Sequence, residues 1–269
     1  MPSYVVTGAS RGLGYAFITH LAKDSSNTVI GLARNKAATD SRLAKDDIKN
    51  VTILQADILD SLALQAAAAE TARITGGGLD VLINNAAYVS EETSFETMAV
   101  AESEAERIEK DFLKSFEINV IGVVKTMNAF LPLLKKGTVK KVISISTGMA
   151  DNDFINEFDI AIAAPYAVSK AALNTLVAKY NTAYKKDRIL FMAISPGFVN
   201  TAEGKKFSEE ELAGVQAMIT QFADYAPGLK GPITPQESVE QMLRVVDNAT
   251  IERGDSGSFV SHLGTKRWL

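Results

Sequence analysis

Tyr4-Val5-Val6-Thr7-Gly8-Ala9-Ser10-Arg11-Gly12-Leu13-Gly14 decides the fold. A short β-branched run stops at a glycine-rich turn, and an apolar helical pattern follows from Gly14 to Lys23. That order reads as a strand feeding a helix through a tight corner. Glycines at 8, 12 and 14 remove side chains where a phosphate could approach the backbone, and amides at a helix start carry a partial positive field. A plain tight turn is the bland alternative, but the strand before and the helix after give the motif weight as a dinucleotide site. The spacing is Gly-x3-Gly-x-Gly, unlike the Gly-x-Gly-x2-Gly of another large dinucleotide-binding class.

Outward from this corner the chain alternates. Buried-strand patterns fall at Tyr4 to Thr7, Thr28 to Ala33, Val51 to Gln55, Leu79 to Ile83, Val139 to Ile145 and Ile189 to Ile194, with a last one at Gly257 to Ser261. Helical patterns lie at Ser61 to Ile74, Ala105 to Leu134, Tyr166 to Lys186 and Pro235 to Asn248. Strand alternating with helix predicts a parallel sheet covered on both faces, with right-handed crossovers and the ligand at the carboxyl ends of the strands. No composition shift marks a boundary, so residues 1–269 read as a single-domain doubly wound α/β fold of Rossmann type. Three segments exceed this scaffold, near 88–109, 148–164 and 201–234, and form the expected substrate walls.

Composition narrows the chemistry. The chain has 46% hydrophobic and 22% charged residues, enough for a sizeable core. A formal charge of -4 with no basic stripe argues against a nucleic-acid partner. No cysteine and only two histidines, His20 and His262, exclude disulfides and thiolate sites and leave little for a metal centre or a serine-hydrolase triad. No basic leader precedes an apolar run and no later segment reaches transmembrane length, so no membrane partner and a cytoplasmic location are expected.

The end of the second strand, Leu32-Ala33-Arg34-Asn35, has Ala33 where an NAD enzyme places a ribose-binding carboxylate. Arg34 and Arg11 supply two cations at that corner, which points to NADP(H), because guanidinium pairs bidentately with a 2'-phosphate. Far downstream, Tyr166 and Lys170 stand four residues apart, hence on one helix face. The Lys170 ammonium is expected to favour the Tyr166 phenolate.

Taken in order, Thr7 to Gly14, Ala56-Asp57, Asn84-Asn85-Ala86-Ala87, Ile118-Asn119-Val120, the strand end Ser144 to Thr147, Tyr166-x3-Lys170 and Ser195 to Thr201 resemble the short-chain dehydrogenase/reductase family essentially end to end. The resemblance implies a dinucleotide site formed by Gly8, Ser10, Arg11, Gly12, Leu13, Gly14, Arg34, Asp57, Ile58, Asn84, Ala86, Pro196, Gly197, Val199 and Thr201, together with Tyr166 and Lys170. Asp57 would contact the adenine amine, Asn84 would brace the sheet, and Pro196 to Thr201 would lie along the nicotinamide. Tyr166 is then the general acid for carbonyl reduction and the base for alcohol oxidation, Lys170 holds the nicotinamide ribose, and Asn119 supports a water relay.

Two positions depart from the family pattern. Where a second serine is usual, Ile145-Ser146-Thr147-Gly148 places Thr147, with Ser146 as the alternative hydroxyl if the register slips by one. Ala87 stands where glycine is commoner. The interval from Thr147 to Tyr166 is long, implying a loop over the site. For the substrate, Phe154, Phe158, Phe207, Leu212, Val215, Met218, Ile219, Phe222 and Tyr225 suggest a lid over a hydrophobic carbonyl compound or alcohol; plain packing is the competing reading. Asp151, Asp153, Glu157 and Asp159 read as a solvated rim and not as metal ligands. The same scaffold also hosts epimerases, dehydratases and cyclases, or a non-catalytic NADP(H)-binding sensor. A homo-oligomer, dimer or tetramer, is the expected assembly.

Overall fold

The computed structural model describes residues 1–90, 92–99, 101–201, 208–229 and 231–269. In chain order the elements are β1 (Ser3–Thr7), α1 (Gly12–Leu21), β2 (Thr28–Ala33), α2 (Lys36–Lys45), β3 (Val51–Gln55), α3 (Ser61–Thr75), β4 (Val81–Asn84), α4 (Ala105–Phe116), α5 (Gly122–Leu134), β5 (Lys141–Ile145), α6 (Asn152–Glu157), α7 (Ala164–Ala183), β6 (Leu190–Ser195), α8 (Glu209–Tyr225), α9 (Pro235–Asn248) and β7 (Phe259–Ser261). The sheet has seven strands in the order β3-β2-β1-β4-β5-β6-β7, all parallel. From β1 the chain winds first toward β3 and then crosses back to β4, so the strand order reverses beside β1 and opens a crevice at the carboxyl ends of β1 and β4.

Every residue of β4 and β6 is buried, as expected of strands covered on both faces. On one face Val6, Ile83, Ile143 and Met192 pack with Phe17 and Ile18 of α1, Leu43 of α2 and Met242 and Val246 of α9. On the other, Val5, Leu82, Val142 and Phe191 pack with Leu64 of α3, Phe130 of α5 and Leu173 of α7. Phe130 is fully buried; truncating it to alanine would cost about 3–5 kcal/mol. Local signals set the helix ends: Asp60 caps α3, left-handed Gly76 stops it, and Thr234 with Glu237 forms a capping box before Pro235 on α9.

At the opposite end of the sheet from the crevice, Asp80 ties three segments together. It accepts hydrogen bonds from Ser3 N (2.9 Å), Thr138 N and Oγ1 (both 2.8 Å) and Val139 N (3.1 Å). Burial alone would raise its carboxyl, but the donors from Val139, Ser3 and Thr138 hold it down at about 2.

Several details correct the sequence reading. The polar helix α2 was not anticipated, and α6 lies inside the stretch expected to be a loop. The predicted helix from Ala105 to Leu134 is interrupted by a π turn at Glu117–Ile121, which places Asn119 at the irregularity. The helical run Glu102–Leu134 is also long and apolar enough to cross a membrane, at mean hydropathy 1.2, although no segment was expected to reach that length; half of that window is buried within the fold.

Candidate active site

The crevice begins at the glycine turn. Gly8 has φ +67°, and a side chain there would drive its Cβ to 2.9 Å from Ala86 Cα. At Gly14 a Cβ would lie 2.1 Å from Gly8 O, so the first turn of α1 is pressed onto the strand exit. A clasp that the sequence reading missed fixes this corner. Thr7 Oγ1 accepts from the backbone N–H groups of Asn85 and Ala86, both at 3.0 Å, while Asn85 Nδ2 donates to Thr7 O (2.9 Å) and Gly8 O (3.3 Å). Of the two residues expected from this string, Ala86 belongs to the clasp and Asn84 donates across from β4 to Ser144 Oγ of β5 (3.3 Å), its Oδ1 buried with no partner among the described residues.

The start of α1 is suited to a phosphate. Arg11 precedes it without a side-chain cap, leaving the leading amides uncommitted. In front of Gly12 the nearest group is the Thr201 side chain, 3.7 Å from where a Cβ would be, so the two ends of the expected cofactor set face each other. Ser10 is exposed, its carbonyl accepting from Arg42 Nη1 (3.2 Å), and Leu13 is turned into the core. Ala33 is buried, whereas Arg11 and Arg34 are exposed and neither forms an ion pair among the described residues. Asp57 Oδ1 accepts from Leu59 N (2.9 Å). Ile58 packs its side chain toward Gly122 of α5, so only its backbone can face the crevice. Val199 bridges Ile233, and Pro196 O accepts from Ser238 Oγ (2.6 Å), anchoring the loop after β6.

At the end of β5, α7 brings Lys170 against the strand. Lys170, 2% exposed, donates from Nζ to Ile145 O at 2.7 Å, and burial pushes its amine down to about 7. Burial pushes the half-buried Tyr166 phenol up to about 12. Burial alone sets this direction, opposite to the lowering expected from Lys170, whose Nζ lies 5.7 Å from the ring centroid.

Asn119 is fully buried and committed. Its Oδ1 accepts from Tyr88 N (2.7 Å), and Nδ2 donates to Tyr88 O and Ser169 Oγ, both at 2.9 Å. Ser169 Oγ in turn donates to Tyr166 O (2.7 Å), so the π turn and the Tyr166 backbone are joined. The two hydroxyls just past β5 point to opposite sides, as alternation requires. Ser146 is buried and donates to Asn174 Oδ1 of α7 (2.7 Å); Thr147 is only partly buried, and its Oγ1 accepts from Met149 N (3.3 Å), leaving its proton for another acceptor.

The three expected wall segments do come together. Gly214 of α8 sits against the Phe95 ring from segment 88–109, Gln221 Nε2 donates to Asp159 O (3.2 Å), and Ala163 N donates to Glu96 O (3.1 Å). The aromatic residues proposed as substrate contacts do something else: Phe154 and Phe222 are buried, and with Phe158, Tyr225, Phe198 and Trp268 they form a core of their own. Asp151 is explained as the cap of α6, accepting from Phe154 N (3.0 Å). Phe207 lies outside the described residues. Leu212 is exposed, with Val215, Met218 and Ile219 half-buried along α8.

Comparison with known proteins places this geometry. The family model described as short chain dehydrogenase matches residues 3–212. The chain is 48% identical over 271 residues to "Short chain dehydrogenase virK" of Hypocrea virens, and 48% identical over 270 residues to "Short-chain dehydrogenase/reductase AacuF" of Aspergillus aculeatus, with 100% of each chain covered in both cases. Among solved structures, an NADPH-bound carbonyl reductase from chicken fatty liver is 27% identical with a TM-score of 0.75, over 98% of both chains. The carbonyl reductase Sniffer of D. melanogaster shares the fold at 22% identity and a TM-score of 0.76, again over 98% of both chains.

Proposed function

The chain belongs to the short-chain dehydrogenase family, and from that premise we propose that it is an NADP(H)-dependent reductase of a carbonyl group on a hydrophobic small molecule, with Tyr166 as the proton donor. The observation that carries this reading is the contact of Lys170 with Ile145 O at the end of β5, with its Nζ 5.7 Å from the Tyr166 ring and the Asn119–Ser169 link holding the Tyr166 backbone. The bound nicotinamide supplies the hydride. As negative charge develops on the carbonyl oxygen, Thr147 donates a hydrogen bond and Tyr166 delivers the proton. Lys170, with its amine near 7, can then return a proton to the phenolate at neutral pH. Because both amide hydrogens of Asn119 are committed, a water relay would run through its main-chain carbonyl.

Preference for the 2'-phosphate is supported by buried Ala33 in place of an acid and by exposed Arg11 and Arg34, neither in an ion pair among the described residues. The uncapped start of α1 fits the pyrophosphate. Self-association belongs to the same proposal, since Leu113, Phe116 and Ile121 are exposed along the run from α4 into α5, and Val168 on α7. The test is oxidation of NADPH against NADH over a panel of aldehydes, ketones and quinones, with Tyr166→Phe as control. Turnover that requires Tyr166 is expected. Full activity in a Tyr166→Phe protein that binds NADPH normally would remove the assignment.

A further inference from the structure

The turns after β5 and β6 each carry a glycine with an aromatic side chain seated on it, and both side chains come from the segment after β7. Gly197 follows β6, and a Cβ there would lie 2.6 Å from His262 Cε1. Gly148 follows Thr147, and a Cβ there would lie 2.5 Å from Trp268 Cβ and 2.7 Å from its Cγ. Both rings are buried, His262 at 6% and Trp268 at 3% exposure. The strand ends are themselves joined, because Gly148 N donates to Ser195 Oγ at 3.0 Å.

The spacing of the two rings is held by the chain between them. Gly264 N donates to Ser261 O, and Ser261 N to Thr265 O, both at 2.8 Å. Arg267 N adds a bond to Thr265 Oγ1 at 3.1 Å. Trp268 is supported from behind: its ring stacks on Phe259 with centroids 4.4 Å apart, and its backbone N–H donates to Tyr225 OH at 2.9 Å. Tyr225 is edge-on to Phe154 (4.7 Å) and Phe158 (4.8 Å), so α6 and α8, the substrate-side helices, share one apolar cluster with Trp268 beside the Thr147–Gly148 turn.

We infer that the segment His262–Leu269 is a positioning clamp, in which Trp268 fixes the Thr147–Gly148 turn and thereby aims the Thr147 hydroxyl, while His262 fixes the Pro196–Gly197 turn. The inference rests on the reductase reading for its kinetic consequence, because only then does the aim of Thr147 govern turnover. A ring that merely fills the core would affect stability alone. A clamp affects the chemical step, since misplacing a donor by about 1 Å costs on the order of 100-fold in rate.

The experiment compares the full-length chain with Trp268→Ala, Trp268→Phe, Tyr225→Phe and His262→Leu. Steady-state kinetics with NADPH and the best carbonyl substrate are combined with hydrogen exchange of the peptide covering residues 144–150. For Trp268→Ala, kcat should fall roughly 10- to 100-fold with KM for the carbonyl little changed, and exchange at 144–150 should rise while that of β1 and α1 stays constant. Trp268→Phe should restore most of kcat, Tyr225→Phe should move it partway in the same direction, and His262→Leu should weaken NADPH binding more than it lowers kcat. Unchanged kcat and unchanged exchange in a folded Trp268→Ala protein would overturn the clamp; if that variant does not fold, the same result in Tyr225→Phe would overturn it. Absence of turnover in the unmodified protein would remove the reductase reading instead, and the exchange data would still decide whether Trp268 holds the turn.

Discussion

Replacing Lys170 with methionine should stabilise the protein while abolishing its turnover. The amine is buried at 2% exposure, and its pKa falls from 10.5 to about 7. A basic group depressed in this way binds fewer protons folded than unfolded between those two values, so stability rises with pH across that window. At about 1.4 kcal/mol per pKa unit, keeping this lysine costs the folded protein about 4 kcal/mol at pH 7 and less than about 1 kcal/mol at pH 10. Methionine matches the stem and removes that cost, but it leaves Ile145 O without the donor now at 2.7 Å, a loss of about 1–3 kcal/mol. The net expectation at pH 7 is a gain of about 1–3 kcal/mol, or several degrees in Tm. The advantage should close and then reverse toward pH 10. Thermal melts of the cofactor-free proteins at pH 7, 8.5 and 10, beside NADPH-dependent turnover at pH 7, provide the assay. A Lys170→Met protein that melts below the unmodified one at pH 7, with the same pH slope, would refute the account of a destabilising buried amine.

At the adenosine end, Arg34→Asp should lower the NADPH over NADH ratio of kcat/KM by about 30- to 100-fold, the equivalent of a lost charge-assisted pair; an unchanged ratio would reject Arg34 as a 2'-phosphate contact. At the far end of the sheet, Asp80→Asn should cost about 2 kcal/mol at neutral pH. A carboxyl depressed to about 2 contributes stability above pH 4 that is lost as pH falls through 2, so urea melts of the two proteins should converge over that interval. A constant gap across it would show that packing, and not ionisation, sets the role of Asp80.

Periodicity reveals what is repeated, and most of this fold is repeated. The apolar strands and the four-residue step from Tyr166 to Lys170 are visible because each depends on neighbours along the chain. Helix α2 was not visible, since only Thr39 and Leu43 are buried in its ten residues and no apolar stripe marks it; the Asn35 cap was the available signal. Strand β4 starts at Val81 and not at Leu79 because Leu79 N pairs with Leu133 O and Asp80 is drawn to Ser3 and Thr138. The apolar pattern runs on through both residues. The aromatic residues after Phe154 were visible as a set, but whether they face a ligand or one another depends on α6, α8 and Trp268 meeting, a contact between distant parts of the chain.

The sign of the Tyr166 shift was hidden for the same reason, and it bears on the direction of the chemistry. A four-residue spacing says that phenol and ammonium share a face; it does not say how much solvent reaches them. Here burial raises the phenol and lowers the amine, so the protein favours the uncharged form of each. A protonated phenol is the state in which Tyr166 can give a proton to a reduced carbonyl. The phenolate needed for the reverse oxidation must be made against that burial. For the two candidate hydroxyls, Ser146 and Thr147, tertiary contact gives different surroundings. Asn174, one helical turn beyond Lys170, takes the Ser146 hydroxyl at 2.7 Å, whereas Thr147 is half-buried and accepts from Met149 N. One face of α7 thus carries the Tyr166 phenol, the buried Lys170 amine and the amide that holds Ser146 just past β5, the arrangement on which the proposed reduction rests.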